Sequence, residues 1–287
     1  MNATVERKPL LLREVSGPSA LGGGSRRFFD LLWLLSVTEF RRTYFGTVFG
    51  YLWSLVRPLM LFGVLLFVFT QVFKIGSELD NYPVLLLLGI VLFTFFQEAT
   101  TNAVTSVAAQ EGVVRKTQFP RLVIPLSTVL TAAFNFGLNL VIVFAFILAW
   151  GVDPTWTWLL FPLPLALLFV LTTAVSMLLS VLYIRFRDVA IIWTVLAQML
   201  FYATPILYPL GKHGLEDEAI EEALMVNPLA VIFEQVRVWV IEPHAPTAAE
   251  AAGGAVHLLP AAAIFIGLCV LSVWMFNREA PRIAEEL

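Results

Sequence analysis

The chain reads as long uncharged runs separated by short charged punctuation. Residues 58–73 carry no charge, and neither do 81–97, 99–110, 122–152, 154–184, 189–211 and 251–277. A hydrocarbon core of roughly 30 Å takes about 20 helical residues to cross. The runs are continuously apolar rather than alternating, so a spanning barrel is not expected. Helices are then the structure that satisfies the backbone in lipid. The pattern predicts an all-α integral membrane protein with six spans, at about 52–74, 83–107, 124–149, 161–184, 189–209 and 257–277. Pro83, Pro125 and Pro162 fall near predicted helix starts, where a missing N–H costs little. Pro205 and Pro209 fall late in the fifth span, where they bend or break it unless the helix has already ended at Ala203.

Three segments do not read as spans. Residues 1–25, with Gly22, Gly23, Gly24 and Ser25, read as a flexible tail without the apolar core of a signal peptide. Residues 26–50 mix Arg26, Arg27, Asp30, Glu39, Arg41 and Arg42 with Phe28, Phe29, Trp33 and Phe40. They predict an amphipathic helix along the inner interface, the alternative being a cytoplasmic extension of the first span. The remaining chain, 51–287, forms one transmembrane domain, and within it the segment 212–250 is unusual. It begins with acids at 216–222 and continues through Asn227, Pro228 and a mostly apolar run to Ile241, interrupted by Glu234 and Arg237. Asn at the N-cap with Pro at the first helical position predicts a helix start. Thirteen residues cannot cross a bilayer. A re-entrant or outer-leaflet helix is expected, the simpler alternative being a surface helix on an outer loop.

Charge sets the expected orientation. With the N-terminus inside, all but Lys74, Lys212 and Arg237 of the 18 basic residues fall on the inner side. The positive-inside rule therefore predicts an N-in/C-in protein. Composition agrees: the chain is 59% hydrophobic and 14% charged, where a soluble domain carries about 25% charged residues. It also narrows the chemistry. One cysteine, Cys269, excludes an internal disulfide, and His213, His244 and His257 lack the spacing of a zinc site. There is no phosphate-binding glycine loop, since the only Gly-Lys pair is Gly211-Lys212, so the chain is not expected to hydrolyse ATP. Metal, nucleic acid and a resident cofactor are not expected, and the acids at 216–222 read as a solvated face. Glu98, beside Gln97 and one turn before Asn102, is an ionisable group inside a span. It is expected to face the bundle interior or a wet path, or to hydrogen-bond a neighbouring helix. The dense aromatics read mainly as packing and lipid-facing groups.

Four segments carry a resemblance. They are Phe40-Arg41-Arg42-Thr43-Tyr44-Phe45-Gly46 with Gly50-Tyr51-Leu52-Trp53 and Arg57-Pro58; the stretch from Gly112 to Arg121 with Pro125-Leu126; Arg185-Phe186-Arg187-Asp188-Val189 with Tyr202-Ala203-Thr204-Pro205-Ile206-Leu207-Tyr208; and Asn227-Pro228-Leu229 with Arg237. In order, across about residues 28–277, they resemble the membrane subunit of type-2 ABC exporters of the polysaccharide and polyol-phosphate class, the permeases for O-antigen and teichoic acid. At Gln110-Glu111 this chain departs from the asparagine often found there in that family.

The resemblance implies a homodimeric permease in a bacterial cytoplasmic membrane. Two separate ATPase subunits, which carry ATP and Mg, would dock on its inner face. The loop 108–121 would be the coupling element, with Glu111, Arg115, Lys116, Gln118, Phe119, Arg185, Arg187 and Asp188 facing the ATPase. Arg41, Arg42 and Arg57 would meet the phosphate head of a lipid-linked glycan, because Arg pairs well with phosphate; ordinary contact with inner-leaflet lipid is the alternative. Phe62, Phe69, Glu98, Trp193, Phe201, Tyr202 and Tyr208 would border the substrate path. Asn227, Pro228, Glu234 and Arg237 would build the outer gate. Three other readings stand beside it: an exporter of drugs or lipids, a membrane enzyme acting on glycans, and a secondary transporter. The last is disfavoured because the two halves show no internal repeat.

Overall fold

The computed structural model describes residues 24–44, 50, 52–74, 81–112, 120–210 and 218–279. The tail before residue 24 lies outside the described residues, as do Arg115, Lys116, Gln118 and Phe119 of the loop expected to be the coupling element and the first part of the 212–250 segment. Among the described residues the regular structure is helical: α1 (Gly24–Tyr44), α2 (Leu52–Phe67) running into a π-helical turn (Val68–Val72), α3 (Tyr82–Ala109), α4 (Val123–Trp150), α5 (Pro162–Arg185), α6 (Val189–Tyr202), α7 (Glu218–Leu224), α8 (Pro228–Val240), α9 (Ala248–Ala251) and α10 (Leu259–Glu279). Short 3₁₀ turns, Trp156–Leu160 and Ala255–Leu258, precede α5 and α10.

Proline and glycine mark the ends as local chemistry requires. Pro83 and Pro162 occupy first-turn positions of α3 and α5. Gly151 ends α4 at φ 93°, and its N–H donates to the carbonyls of Ile147 and Leu148.

Among the described residues, five helical stretches are long and apolar enough to cross a membrane: Leu52–Val72, Tyr82–Ala109, Val123–Trp150, Trp156–Arg185 and Ala255–Glu279. They match the first, second, third, fourth and sixth predicted spans. The fifth differs. Predicted for 189–209, its helix stops at Tyr202 after 14 residues, about 21 Å at 1.5 Å per residue. Pro205 has no N–H to offer the carbonyl of Phe201 and restricts the residue before it, so the helix cannot run on. Residues 203–210 instead form turns packed inside the protein: Thr204, Ile206, Leu207 and Leu210 are buried. Irregular backbone at membrane depth is stable where protein covers it.

α3 is the central helix. Of its most apolar stretch 72% is buried within the protein, against 6% for the α2 span and 11% for the α10 span. It packs chiefly on α4 and α5, and α10 packs on α5. At the middle of the bundle Phe95 of α3 stacks on Phe136 of α4 (centroids 4.7 Å apart) and meets Phe169 of α5 (4.6 Å). Between lipid-solvated helices there is little water to expel, so such close packing supplies most of the association energy. Gly89 lets the 203–210 segment approach: a β-carbon there would sit 3.1 Å from Cγ2 of Ile206.

Two contact clusters define the ends. Val107 of α3, Ile124 of α4, Met177 and Val181 of α5 and Phe276 of α10 pack together at one end. Arg121, Arg185, Arg187 and Arg278 sit on the segments bounding that cluster, which we call the basic end. Leu210, Met225, Ala230, Ala251 and Ala252 pack at the far end, which gathers α7, α8 and α9. α1 lies against α4 through short polar contacts: Ser36 Oγ donates to the Ser127 carbonyl (3.3 Å) and Thr131 Oγ1 to the Ser36 carbonyl (3.2 Å). Trp33 and Phe40 flank them, each edge-on to Phe134.

Candidate functional site

At the far end the chain builds a knot of buried charge. Asn227 begins α8 as expected: its Oδ1 accepts from the Leu229 N–H (3.0 Å), and Pro228 fills the first helical position. Its Nδ2 donates to Thr204 Oγ1 (3.2 Å) and to the Ala203 carbonyl (3.4 Å), tying the start of α8 to the end of α6. Two turns further, Glu234 is 1% exposed. Arg237 Nη1 reaches Glu234 Oε1 (3.1 Å) and the Leu210 carbonyl (3.2 Å), while its Nη2 and Nε reach Glu242 Oε2 at 2.6 and 3.0 Å. One guanidinium thus serves two carboxylates and a carbonyl from a different segment, the multidentate geometry that Arg suits. Burial pushes the Glu234 carboxyl up to about 7; Arg237 opposes the shift, and Glu242 and Glu221 add to it. The other end of α8 is fastened as well. Its last carbonyls, at Trp239 and Val240, accept from Thr157 Oγ1 (2.6 Å) and Trp158 Nε1 (2.9 Å). Asn227→Ala is expected to cost about 1 kcal/mol, through loss of the cap, and to loosen the Thr204 contact. Thermal unfolding in detergent measures the first effect, and hydrogen exchange at 203–210 the second; an unchanged exchange rate would remove Asn227 from the junction.

A second polar group lies inside the bundle. Glu98 of α3 accepts a hydrogen bond from Asn135 Nδ2 of α4 (2.7 Å), and the Arg57 charge on α2 acts on it across the helix boundary. Asn139, one turn along α4, donates to the Asn135 carbonyl (2.9 Å) and the Ser54 carbonyl of α2 (3.4 Å). Ser54, Glu98, Asn135 and Asn139 line a cavity of about 20 Å³.

The remaining sequence-predicted residues are dispersed. Glu111, Arg185, Arg187 and Asp188 lie at the basic end, the last three exposed at the α5–α6 turn. Arg185 rests over the Phe186 ring (5.8 Å to centroid). Arg41 and Arg42 are exposed at the end of α1, with Arg42 3.9 Å from Glu39, and Arg57 is exposed on α2. Phe62 packs edge-on to Phe146 of α4, and Phe69 lies beside Phe73 and Tyr82. Trp193 and Phe201 turn inward onto α3: Trp193 Nε1 donates to Thr100 Oγ1 (3.2 Å), and Phe201 meets Phe93 at 5.2 Å. Tyr202 points outward, 57% exposed, on a face shared with Ile191, Ile192, Val195, Leu196 and Met199. Tyr208 donates its hydroxyl to the Tyr202 carbonyl (2.8 Å).

Sequence reasoning missed Asn135, Asn139, Thr204 and Glu242. The first two carried a legible signal, since two amides four residues apart on one face of an apolar span find partners on a neighbouring helix. Thr204 and Glu242 carried none, because their partners come from other segments.

Residues 30–240 match the protein family described as ABC-2 type transporter. Two relatives, each an O-antigen export system permease protein RfbA of Klebsiella pneumoniae, are 31% identical over 204 residues, 70% of this chain and 76% of each relative. The O-antigen export system permease protein RfbA of Myxococcus xanthus is 29% identical over 244 residues, 83% of this chain and 92% of the relative. The family match covers the Glu98 cluster and the α8 knot apart from Glu242. With five apolar helices able to cross a bilayer, the chain is a multi-pass membrane permease that belongs to the ABC-2 type transporter family.

Proposed function

We propose that this permease is the membrane half of an ATP-driven exporter that moves a lipid-linked cell-surface polysaccharide outward across a bacterial cytoplasmic membrane. The observation that carries the reading is the similarity to O-antigen export permeases over most of the chain. The charge distribution supports it: Arg121, Arg185, Arg187 and Arg278 lie on the segments that bound the basic end, as an inner face requires. In this reading α1 lies along the inner interface beside α4, and both termini face the cytoplasm. α6 with 203–210 makes the fifth of six crossings, and α7 to α9 form re-entrant outer elements.

Two copies form the path, and two ATPase subunits dock on the basic end. Loop 108–121 and the α5–α6 turn (Glu111, Arg115, Lys116, Gln118, Phe119, Arg185, Arg187 and Asp188) receive their motion. Arg41, Arg42 and Arg57 attract the phosphate head of the substrate. The exposed face of α6, with Tyr202, borders the path together with Phe62, Phe69, Glu98 and Tyr208; Trp193 and Phe201 shape it from behind. The Asn227–Pro228 start of α8, with Glu234 and Arg237, anchors the outer gate.

The test is reconstitution. The purified chain alone is expected to turn over no ATP, and adding its cognate ATPase should give turnover together with glycan export. Reversing the charge of Arg115 and Lys116 should reduce export at least tenfold at unchanged membrane abundance. Full coupling in that variant would overturn the assignment of the loop, and turnover by the permease alone would overturn the division of labour.

A further inference from the structure

Pro58 lies inside α2, where it has no N–H to give the carbonyl four residues earlier, that of Ser54. In lipid a carbonyl without its helical donor is expensive. The structure supplies a donor from another helix: Asn139 Nδ2 of α4 reaches the Ser54 carbonyl at 3.4 Å. The same amide donates to the Asn135 carbonyl at 2.9 Å, so its NH₂ is oriented by two carbonyls. Asn135 in turn donates to Glu98 of α3 at 2.7 Å. The proline break in α2 is therefore read by a relay of polar groups from two helices. The cavity beside it, about 20 Å³, has room for one water.

The rest of α2 makes this contact matter. Pro58 is the only buried residue in α2 and its π-helical extension. Leu59, Met60, Leu61, Val64, Phe67 and Val72 are all exposed to the surroundings of the bundle. α2 is a peripheral span: beyond this turn it meets the core only through the half-buried side chains of Phe62, Leu65, Leu66 and Phe69, and the Ser54–Pro58 turn makes a hydrogen bond to another helix.

We propose that Asn139 is a positioning residue for the first span: it stands in for the amide missing at Pro58 and makes the Ser54–Pro58 turn a polar fastening that sets how α2 sits on the bundle. This concerns how the span is held and does not depend on which substrate the permease carries. It makes Asn139 conditional on Pro58. If residue 58 has its own N–H, the Ser54 carbonyl regains its helical donor and the amide of Asn139 becomes dispensable for holding α2.

The test is a double-mutant cycle on the full chain in native membranes. Cysteines replacing Phe62 and Phe146, whose rings lie 5.8 Å apart one turn beyond the break, report the position of α2 by disulfide cross-linking, with Cys269 replaced by Ala. N139L in the Pro58 background should lower the yield at least fivefold. N139L in the P58A background should change it less than twofold. Equal losses in both backgrounds would make Asn139 an ordinary α4 packing group, and no loss in either would mean α2 is held elsewhere; both overturn the proposal. If N139L does not accumulate in the membrane, the milder N139S is run through the same cycle, with the same pattern expected and the same two outcomes decisive. Glycan export is not a readout here, so failure of the cycle leaves the exporter assignment standing.

Discussion

Replacing Arg237 by Leu is expected to destabilise the protein by about 3–5 kcal/mol, the usual cost of removing one partner from a buried ion pair. The size follows from what the guanidinium holds. Its side chain is 11% exposed and those of Glu234 and Glu242 are 1% and 22% exposed, so the variant leaves two shielded carboxylates without a counter-charge. It also strips the donor from the Leu210 carbonyl, the contact that joins the chain after α6 to α8. The measurement is thermal or denaturant unfolding in detergent, with hydrogen exchange across 203–210; a loss under about 1 kcal/mol would show that the network contributes little.

Glu234→Gln should behave differently, because two carboxylates share one cation. Arg237 keeps Glu242 and the Leu210 carbonyl in that variant. The ordinary carboxyl value is 4.5 and burial raises Glu234 to about 7, so the folded protein holds this proton more tightly than the unfolded chain. Stability from that proton is complete below about 4.5 and is lost as pH rises through about 7. Wild type should therefore lose stability between about pH 4.5 and pH 7, and E234Q should show a flatter profile. Parallel profiles would mean that another group titrates there.

Phe95→Ala is the second large effect, about 3–5 kcal/mol for emptying a ring-sized volume in a close-packed interior. Phe95 is 2% exposed and joins three helices through Phe136 and Phe169. Its loss removes two ring contacts of about 0.5–1.5 kcal/mol each and leaves a void that the rigid α3–α4–α5 core fills poorly. Phe67→Ala is the control. At 62% exposed on the outer face of α2, Phe67 should give a change within about 0.5 kcal/mol. Comparable losses at the two sites would mean that burial within the chain is not what sets the cost.

The two sites show unevenly in the sequence. The α8 knot was half legible: Asn227-Pro228 is a local capping signal, and the 13-residue helix it opens is the helix observed. Glu234 and Arg237, three residues apart, were also visible as an interruption of an apolar run. Their third and fourth partners, Glu242 and the Leu210 carbonyl, come from chain that turns back after α8 and from chain that leaves α6, and no local pattern encodes that return. Glu98 stood out as an intramembrane acid, but its partner Asn135 lies 37 residues away on the next span. Trp193 and Phe201 were visible only as aromatics; which way they face is set by the rotation of α6 against α3.

By itself the sequence determined five of the six predicted long apolar helices, nearly to their limits, and the separation of basic from apolar segments. Those depend on runs of side chains against a fixed bilayer thickness, a one-dimensional condition. It also determined where proline must stop or break a helix, which is local covalent geometry. Only the tertiary structure decided that the fifth apolar run shortens to 14 residues followed by covered turns, that α3 is central while α2 is peripheral, and that Asn139 answers Pro58. These depend on which helix face meets which neighbour. Lipid tails solvate apolar faces almost as well as a protein neighbour does, so hydrophobicity alone leaves that choice open, and close packing with a few polar contacts makes it.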